Sequence, residues 1–219
     1  MAGTEGVSMR IRHVLDLLTP PVVLQVSREL RRNATRPMVT RRLEGRNRLH
    51  LACGTNVLDG WANIDLESNG AVVGWNLTDR LPVRSESVDL IYCEHFIEHI
   101  TLNQATALLV DCHRILRPDG ILRVSTPSLK KVIEEYSSGR TQEWCDVGWS
   151  PATPCQMMNG AFRLWGHRFV YDEDELERIL DDAGYRGVTE VAWHESTTPA
   201  LRGLECRPFH GEIILEAIK

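Results

Sequence analysis

From Arg48 onward, short apolar runs of strand length alternate with longer amphipathic ones, and that alternation leaves few architectures open. Leu49-His50-Leu51-Ala52, Ala62-Asn63-Ile64-Asp65, Ala71-Val72-Val73, Val88 to Tyr92 and Ile121 to Val124 read as strands, with Val188 to Val191 and Glu212 to Leu215 as two later ones. Two intervals read as helices. Leu102 to Leu116 repeats apolar residues on one face (Ala105, Leu108, Leu109, Cys112, Ile115), and Glu173 to Ala183 ends at Gly184. Arg117-Pro118-Asp119-Gly120 closes the first of them as a turn. The pattern predicts an α/β fold built on a doubly wound sheet. Only residues 52–61 separate the first two strands, fewer than the dozen or so a crossover usually takes, so the first helix is shortened or missing.

With 219 residues and 42% hydrophobic content, the chain can bury one sizeable core. The apolar stretch Val14 to Val26 is broken by Asp16, Pro20 and Pro21, which is too interrupted for a signal peptide or a membrane span. The six cysteines include no CxxC pair, as expected of reduced thiols, and they argue against a disulfide scaffold or zinc ribbon. A cytoplasmic protein is the expectation. Of the 25 basic residues 22 are Arg, a skew that reflects a GC-rich genome more than chemistry.

Charge divides the chain. Residues 1–48 hold ten Arg against four acids, and residues 49–219 hold 15 basic against 26 acidic residues. The reading is a basic helical extension over 1–47 and a catalytic domain over 48–219. A basic arm can meet nucleic acid or an anionic membrane, but this one lacks interleaved aromatics. Helices lying on the acidic body, or on a second copy as a homodimer, fit it better, and no nucleic-acid partner is expected.

The chemistry begins where the first strand runs into Ala52-Cys53-Gly54-Thr55-Asn56, a small-residue turn on which a ligand can lie against bare backbone. Asp65, ending the next strand, can accept hydrogen bonds from both hydroxyls of a ribose. A dehydrogenase needs the same two features. The short 52–65 interval and the later Arg-Pro-Asp-Gly disfavour it.

These segments, followed in order by Leu81-Pro82-Val83, Ser87 to His95, Arg114 to Leu122 and Gly166-His167-Arg168-Phe169, resemble the class I S-adenosylmethionine-dependent methyltransferases, in particular the small branch called methyltransferase type 11. The resemblance covers residues 48–219 and implies a Rossmann-like seven-stranded sheet with helices on both faces, and S-adenosylmethionine as cofactor. It places Ala52, Cys53, Gly54 and Asn56 at the methionine end, Asp65 and Leu66 at the ribose, Asn76 and Leu77 beside adenine, and Cys93 and Glu94 facing the cofactor from the fourth strand. The chain departs from the pattern at His50, where the first motif usually has an acid, and at Ala52 and Asn56, which replace glycines.

The acceptor must be met outside these motifs. Residues 140–170 form an insertion, a lid, with Trp144, Trp149, Trp165, Met157, Met158 and His167, so half of the six tryptophans lie there. Indole faces stack on sugars and aromatic acceptors, and they also simply fill cores. A hydroxyl acceptor must lose its proton, and His95 and His167 are the candidate catalytic bases. On a helical turn His95, Glu98 and His99 share a face, and with His167 they can hold a divalent metal. This run resembles the Glu-x-x-Glu-His element of metal-dependent small-RNA and quinone-biosynthesis methyltransferases, with His95 for the first Glu. Mg²⁺ would need waters or sugar hydroxyls to complete its shell, and the imidazoles suit Mn²⁺, Fe²⁺ or Zn²⁺ better. The expected activity is O-methylation of a sugar or polysaccharide precursor. Methylation of a phenolic or natural-product acceptor, and a non-catalytic cofactor-binding scaffold, are the alternatives.

Overall fold

The computed structural model describes residues 21–141, 148–207 and 209–219. The chain divides into two compact units, Met1–Arg42 and Leu43–Lys219. In the first, α1 (Pro21–Leu43) carries Pro37 within it and ends on Arg41 and Arg42, cations that suit the negative end of a helix dipole. No helix among the described residues is long and apolar enough to cross a membrane.

The second unit holds β1 (Arg48–Leu51), β2 (Ala62–Asp65), β3 (Val72–Gly74), β4 (Val88–Glu94), α2 (Leu102–Ile115), β5 (Leu116–Thr126), α3 (Leu129–Ser137), α4 (Pro154–Arg163), α5 (Glu173–Asp182), β6 (Arg186–Glu190) and β7 (Ile213–Ile218). The seven strands form one sheet in the order β3-β2-β1-β4-β5-β7-β6. Strands β1 to β5 run parallel, and β7 enters antiparallel between β5 and β6. This is the Rossmann-like methyltransferase sheet that the resemblance implies. Its strand order reverses between β1 and β4, and the carboxyl end of such a switch point is where open α/β sheets bind ligands.

All three connections linking β1 to β4 are loops, so the first helix is missing as its length predicts. The β1–β2 loop is held by Asn63, whose side chain accepts from the Leu58 amide at 2.9 Å and donates to the Leu58 carbonyl at 2.9 Å. Two hydrogen bonds from one amide do the work of a packed helix. Later helices start where the sequence supplies caps: Thr101 and Gln104 form a capping box on α2, and Ser128, Thr153 and Asp172 cap α3, α4 and α5.

The expected turn at residues 117–120 is absorbed into β5 as an irregularity, Val88 pairing with Leu116 and Leu90 with Ile121. Asp119 takes a positive φ of 64° there, and a Cβ on Gly120 would stand 2.9 Å from the Arg117 carbonyl. Only glycine fits that closely against backbone.

One buried row across the sheet is polar. Asn63, His50, Tyr92, Arg123 and Glu216 occupy neighbouring register positions on β2, β1, β4, β5 and β7. His50 stacks on Tyr92 with ring centroids 5.0 Å apart and meets Asn63 Oδ1 at 3.1 Å. Arg123, fully buried, donates to Glu205 at 2.7 Å, to Glu216 at 2.6 Å and to the Glu195 carbonyl at 2.8 Å. Arg123 thereby ties the long β6–β7 segment onto the sheet. Leu201 and the partly buried Leu204 of that segment complete an apolar cluster with Trp61, Leu90 and Tyr92.

Candidate active site

At the carboxyl end of β1 and β2 the chain offers mainly backbone. Ala52 and Gly54 both adopt left-handed φ values, 53° and 52°, and nothing lies within 4 Å of where a Cβ on Gly54 would be. The turn is fastened by the Cys53 amide on the Ile64 carbonyl at 3.1 Å and by the Gly54 amide on Asp65 Oδ2 at 2.8 Å. Asp65 Oδ1 accepts from the Leu66 amide at 2.6 Å, and each oxygen keeps a second lone-pair site. Asn56 Nδ2 is buried without a hydrogen-bond partner, an orphaned donor of the kind a bound ligand satisfies. Bare backbone, an orphaned amide and a carboxylate at the switch point fit the methionine end and ribose of S-adenosylmethionine. Burial, then the Asp65 charge, push the Cys53 thiol up to about 11, so it stays protonated and unreactive.

Other residues assigned to the cofactor sit differently. Leu77 is buried and Leu66 is exposed. Asn76 Oδ1 is engaged by the Thr78 amide and hydroxyl at 3.0 and 2.9 Å, which leaves its NH₂ end open. The buried Cys93 thiol lies by Cys112 of α2, so from this position the main chain is what a ligand can meet. Glu94 turns its carboxylate to the β6–β7 segment, accepting from the Cys206 amide at 3.1 and 3.3 Å and from its thiol at 3.2 Å.

Beyond β4 the character changes. A short 3₁₀ turn, Ile97–His99, buries Glu98 completely. One carboxylate oxygen of Glu98 accepts from Thr126 Oγ1 at 2.9 Å, and the other has no hydrogen-bond partner. That free oxygen faces three imidazoles. His95 Nδ1 stands at 3.4 Å and His99 Nε2 at 3.8 Å, and Glu98, His99 and His167 offer ligand atoms all within 4.8 Å of one another. His167 arrives from far along the chain because the Arg168 and Phe169 amides donate to the Glu98 carbonyl at 2.7 and 3.3 Å.

The second ring nitrogens are fixed too. His167 Nδ1 donates to the Ala161 carbonyl at 2.7 Å, which leaves the Nε2 lone pair free, and His99 bonds the Trp165 backbone. A histidine that spends one nitrogen on a carbonyl presents the other as an oriented metal ligand or base. Burial, with the nearby His167, lowers the His99 pKa and keeps that ring neutral despite Glu98. The donor set of two imidazoles and a buried carboxylate fits a divalent transition ion.

His95, predicted as a base and as a metal ligand, sits beside the trio. It lies between two carboxylates, with Nε2 3.6 Å from Glu212 Oε1 as well as Nδ1 near Glu98. Burial alone would lower its pKa, but the facing carboxylates of Glu212 and Glu98 outweigh it and raise the value to about 9. The ligand atoms that lie within 4.8 Å of one another belong to Glu98, His99 and His167, and His95 stands beside that group. It is a cation locked beside the trio, on a backbone held at φ 49°. Glu212, at the start of β7, was not singled out by the sequence because nothing local ties it to residue 95.

A cavity of about 180 Å³ opens beside these groups, bordered by His95, His99, His167, Trp165, Arg207 and Glu212 among others. The expected lid contributes in two ways. Met157 is fully buried in a cluster with Val132 and Ala161, whereas Trp165 is 44% exposed and borders the cavity. Trp149 meets Trp165 edge-on at 5.7 Å, and its ring occupies the space a side chain on Gly160 would need. Met158 packs against the buried cluster, and Trp144 lies outside the described residues.

Residues 50–124 match the family model described as a methyltransferase domain. The chain is similar in fold to a SAM-dependent methyltransferase from Archaeoglobus fulgidus, at 16% identity over 88% of this chain and 94% of that one, with a TM-score of 0.49. It is also similar to an S-adenosylmethionine-dependent methyltransferase from Mesorhizobium loti, at 16% identity over 85% and 98% of the two chains, with a TM-score of 0.49. Likenesses of this depth say nothing of the acceptor. No curated protein matches the chain. The matched stretch runs from β1 into β5 and covers about a third of the chain.

Proposed function

We propose that the chain methylates a hydroxyl of a sugar or polysaccharide precursor, in the manner of the mycobacterial sugar 1-O-methyltransferase of methylmannose polysaccharide synthesis, and does so in the cytoplasm. The observation that carries this reading is the cavity lined by imidazoles beside the buried Glu98 oxygen, at the end of β4 next to the switch point. Ala52, Cys53, Gly54, Asn56 and Asp65 would hold S-adenosylmethionine, which supplies an electrophilic methyl on a sulfonium.

The chain's own part is to orient and deprotonate the hydroxyl. His167 Nε2, its partner nitrogen fixed on the Ala161 carbonyl, can accept that proton. Where Glu98, His99 and His167 instead hold a divalent cation, His167 Nε2 would be a ligand rather than the base, and such an ion lowers the pKa of a bound hydroxyl so that solvent can take its proton. Trp165, bordering the cavity, offers a face on which a sugar ring stacks. A homodimer through the amino-terminal extension remains part of this proposal.

The test is methyl transfer from labelled S-adenosylmethionine to sugars and to phenols, before and after chelation, with Mg²⁺, Mn²⁺, Fe²⁺ and Zn²⁺ restored singly. Sugar methylation recovered by one ion supports the full reading. Undiminished activity without metal removes the ion and leaves His167 as an unaided base. Methylation of phenols alone moves the acceptor class, and cofactor binding without any turnover points to a scaffold.

A further inference from the structure

Residues 49–219 carry 15 basic against 26 acidic side chains, yet the cavity beside Glu98 reverses that balance. Among its described lining residues are Lys131, Arg207 and four histidines (His95, His99, His167 and His210), against one acidic residue, Glu212. A concave wall of one sign set in a body of the other focuses the field and concentrates a ligand of opposite charge. A neutral sugar needs no such wall.

Two of these charges are permanent at any physiological pH, Lys131 and Arg207. Lys131 reaches Glu135 at 3.0 Å, and its ammonium has three donors, so two remain. Its aliphatic stem lies on the bare backbone of Gly211, where a Cβ would come within 2.8 Å of Lys131 Cγ. Glycine at this point, with φ at 88°, lets the β6–β7 segment close onto α3 and bring Arg207 and Lys131 to one cavity. Arg207 makes no ion pair within 4.0 Å among the described residues, and it also borders a second, smaller recess lined by Glu94, Glu205 and Glu212 as well as Ser125 and Trp193. On the side of the larger cavity, where Glu212 is the one acidic lining residue, the Arg207 guanidinium can offer its fork to an oxyanion.

We propose that the methyl acceptor carries a carboxylate or a phosphate, bound by Arg207 and Lys131, while its hydroxyl lies toward His99 and His167. The inference rests on the acceptor reading above and narrows it to an acidic or phosphorylated hydroxy compound. The cavity, about 180 Å³, has room for a ligand well beyond a single water.

The probes are glucose, glucuronate and glucose 6-phosphate, titrated calorimetrically at low salt into the protein loaded with S-adenosylhomocysteine. The charged probes are expected to bind at least about tenfold more tightly than glucose, as one charge-assisted hydrogen bond provides. Arg207→Gln, at an exposed position that leaves the fold intact, should abolish the advantage, and Lys131→Gln should reduce it. The tighter of the two charged probes identifies the carboxylate or the phosphate as the preferred anion. Equal binding of all three, or no binding of the charged pair, overturns the proposal. Methyl transfer is read separately on the same samples: turnover without anion preference rejects the anion site and keeps the hydroxyl chemistry, whereas preference without turnover does the reverse.

Discussion

Two ends of one sheet edge are built by opposite means. Where β1 and β2 end, the ligand surface is main chain, set by two left-handed residues and one carboxylate that itself holds the turn. Where β4 and β5 end and β7 begins, it consists of side chains drawn from distant parts of the chain, with Glu98 and His99 from one turn, His167 from the lid and Glu212 from just before the last strand. A ligand of fixed shape can be held by backbone, which no substitution removes. An acceptor chosen by its chemistry needs side chains, and those have to be brought from elsewhere and locked.

The contrast breaks most sharply at Glu98. Glu98→Ala leaves the His95 imidazolium buried without one of its two counter-ions, and removing one member of a buried pair costs about 3–5 kcal/mol. Turnover should fall about 10³-fold and stimulation by metal should vanish, measured by methyl release alongside urea unfolding. Glu98→Gln, which keeps the shape, should recover much of the stability and none of the metal response.

His167→Ala should lower turnover by about 10² or more while the affinity for S-adenosylhomocysteine stays as in the wild type. Equal losses in both would mean that the two ends are not separate. Asp65→Ala should show the converse, weakening cofactor binding by about 1–3 kcal/mol in calorimetry, with the unfolding midpoint and the binding of charged acceptor probes little changed.

The smallest effect concerns pH and the polar row beneath the cofactor turn. Burial lowers the His50 pKa below 6.5, in spite of Asn63 and the nearby Glu94 and Asp65, so the folded protein holds that ring neutral. The stabilisation is present above pH 6.5 and is lost as the pH falls through the depressed folded value. Unfolding midpoints followed from pH 8 downward should drop below pH 6.5, and His50→Gln should flatten that part of the curve.

The same contrast explains what could be read in the sequence. The α/β sheet, the loop in place of a first helix, and the Ala52-Cys53-Gly54 turn with Asp65 are local or nearly local patterns, so strand and turn chemistry disclosed them. Strand ends shifted where pairing decides: β5 begins at Leu116 because Leu116 pairs with Val88, across the Arg117–Gly120 irregularity that reads as a plain turn. The helices α3 and α4, of nine and ten residues, are too short for their periodicity to stand out in the sequence. At the acceptor end, Glu98, His99 and His167 were legible as a set. The placement of His95 between Glu98 and Glu212 was not, because a carboxylate at residue 212 reaches residue 95 only after β7 has been inserted beside β5.

That insertion has a consequence for synthesis. The edge strand β6 pairs with β7 alone, and β7 is made after it. On the ribosome, therefore, the parallel half of the sheet can assemble with its cofactor turn while β6 and the Arg207 segment are still waiting for a neighbour. A nascent chain stalled before Ile213 would expose the β5 edge and leave Arg123 facing Glu205 without Glu216. The cell would meet a species able to take up cofactor but not yet able to close over an acceptor, with an unpaired strand edge that chaperones recognise and other chains can invade.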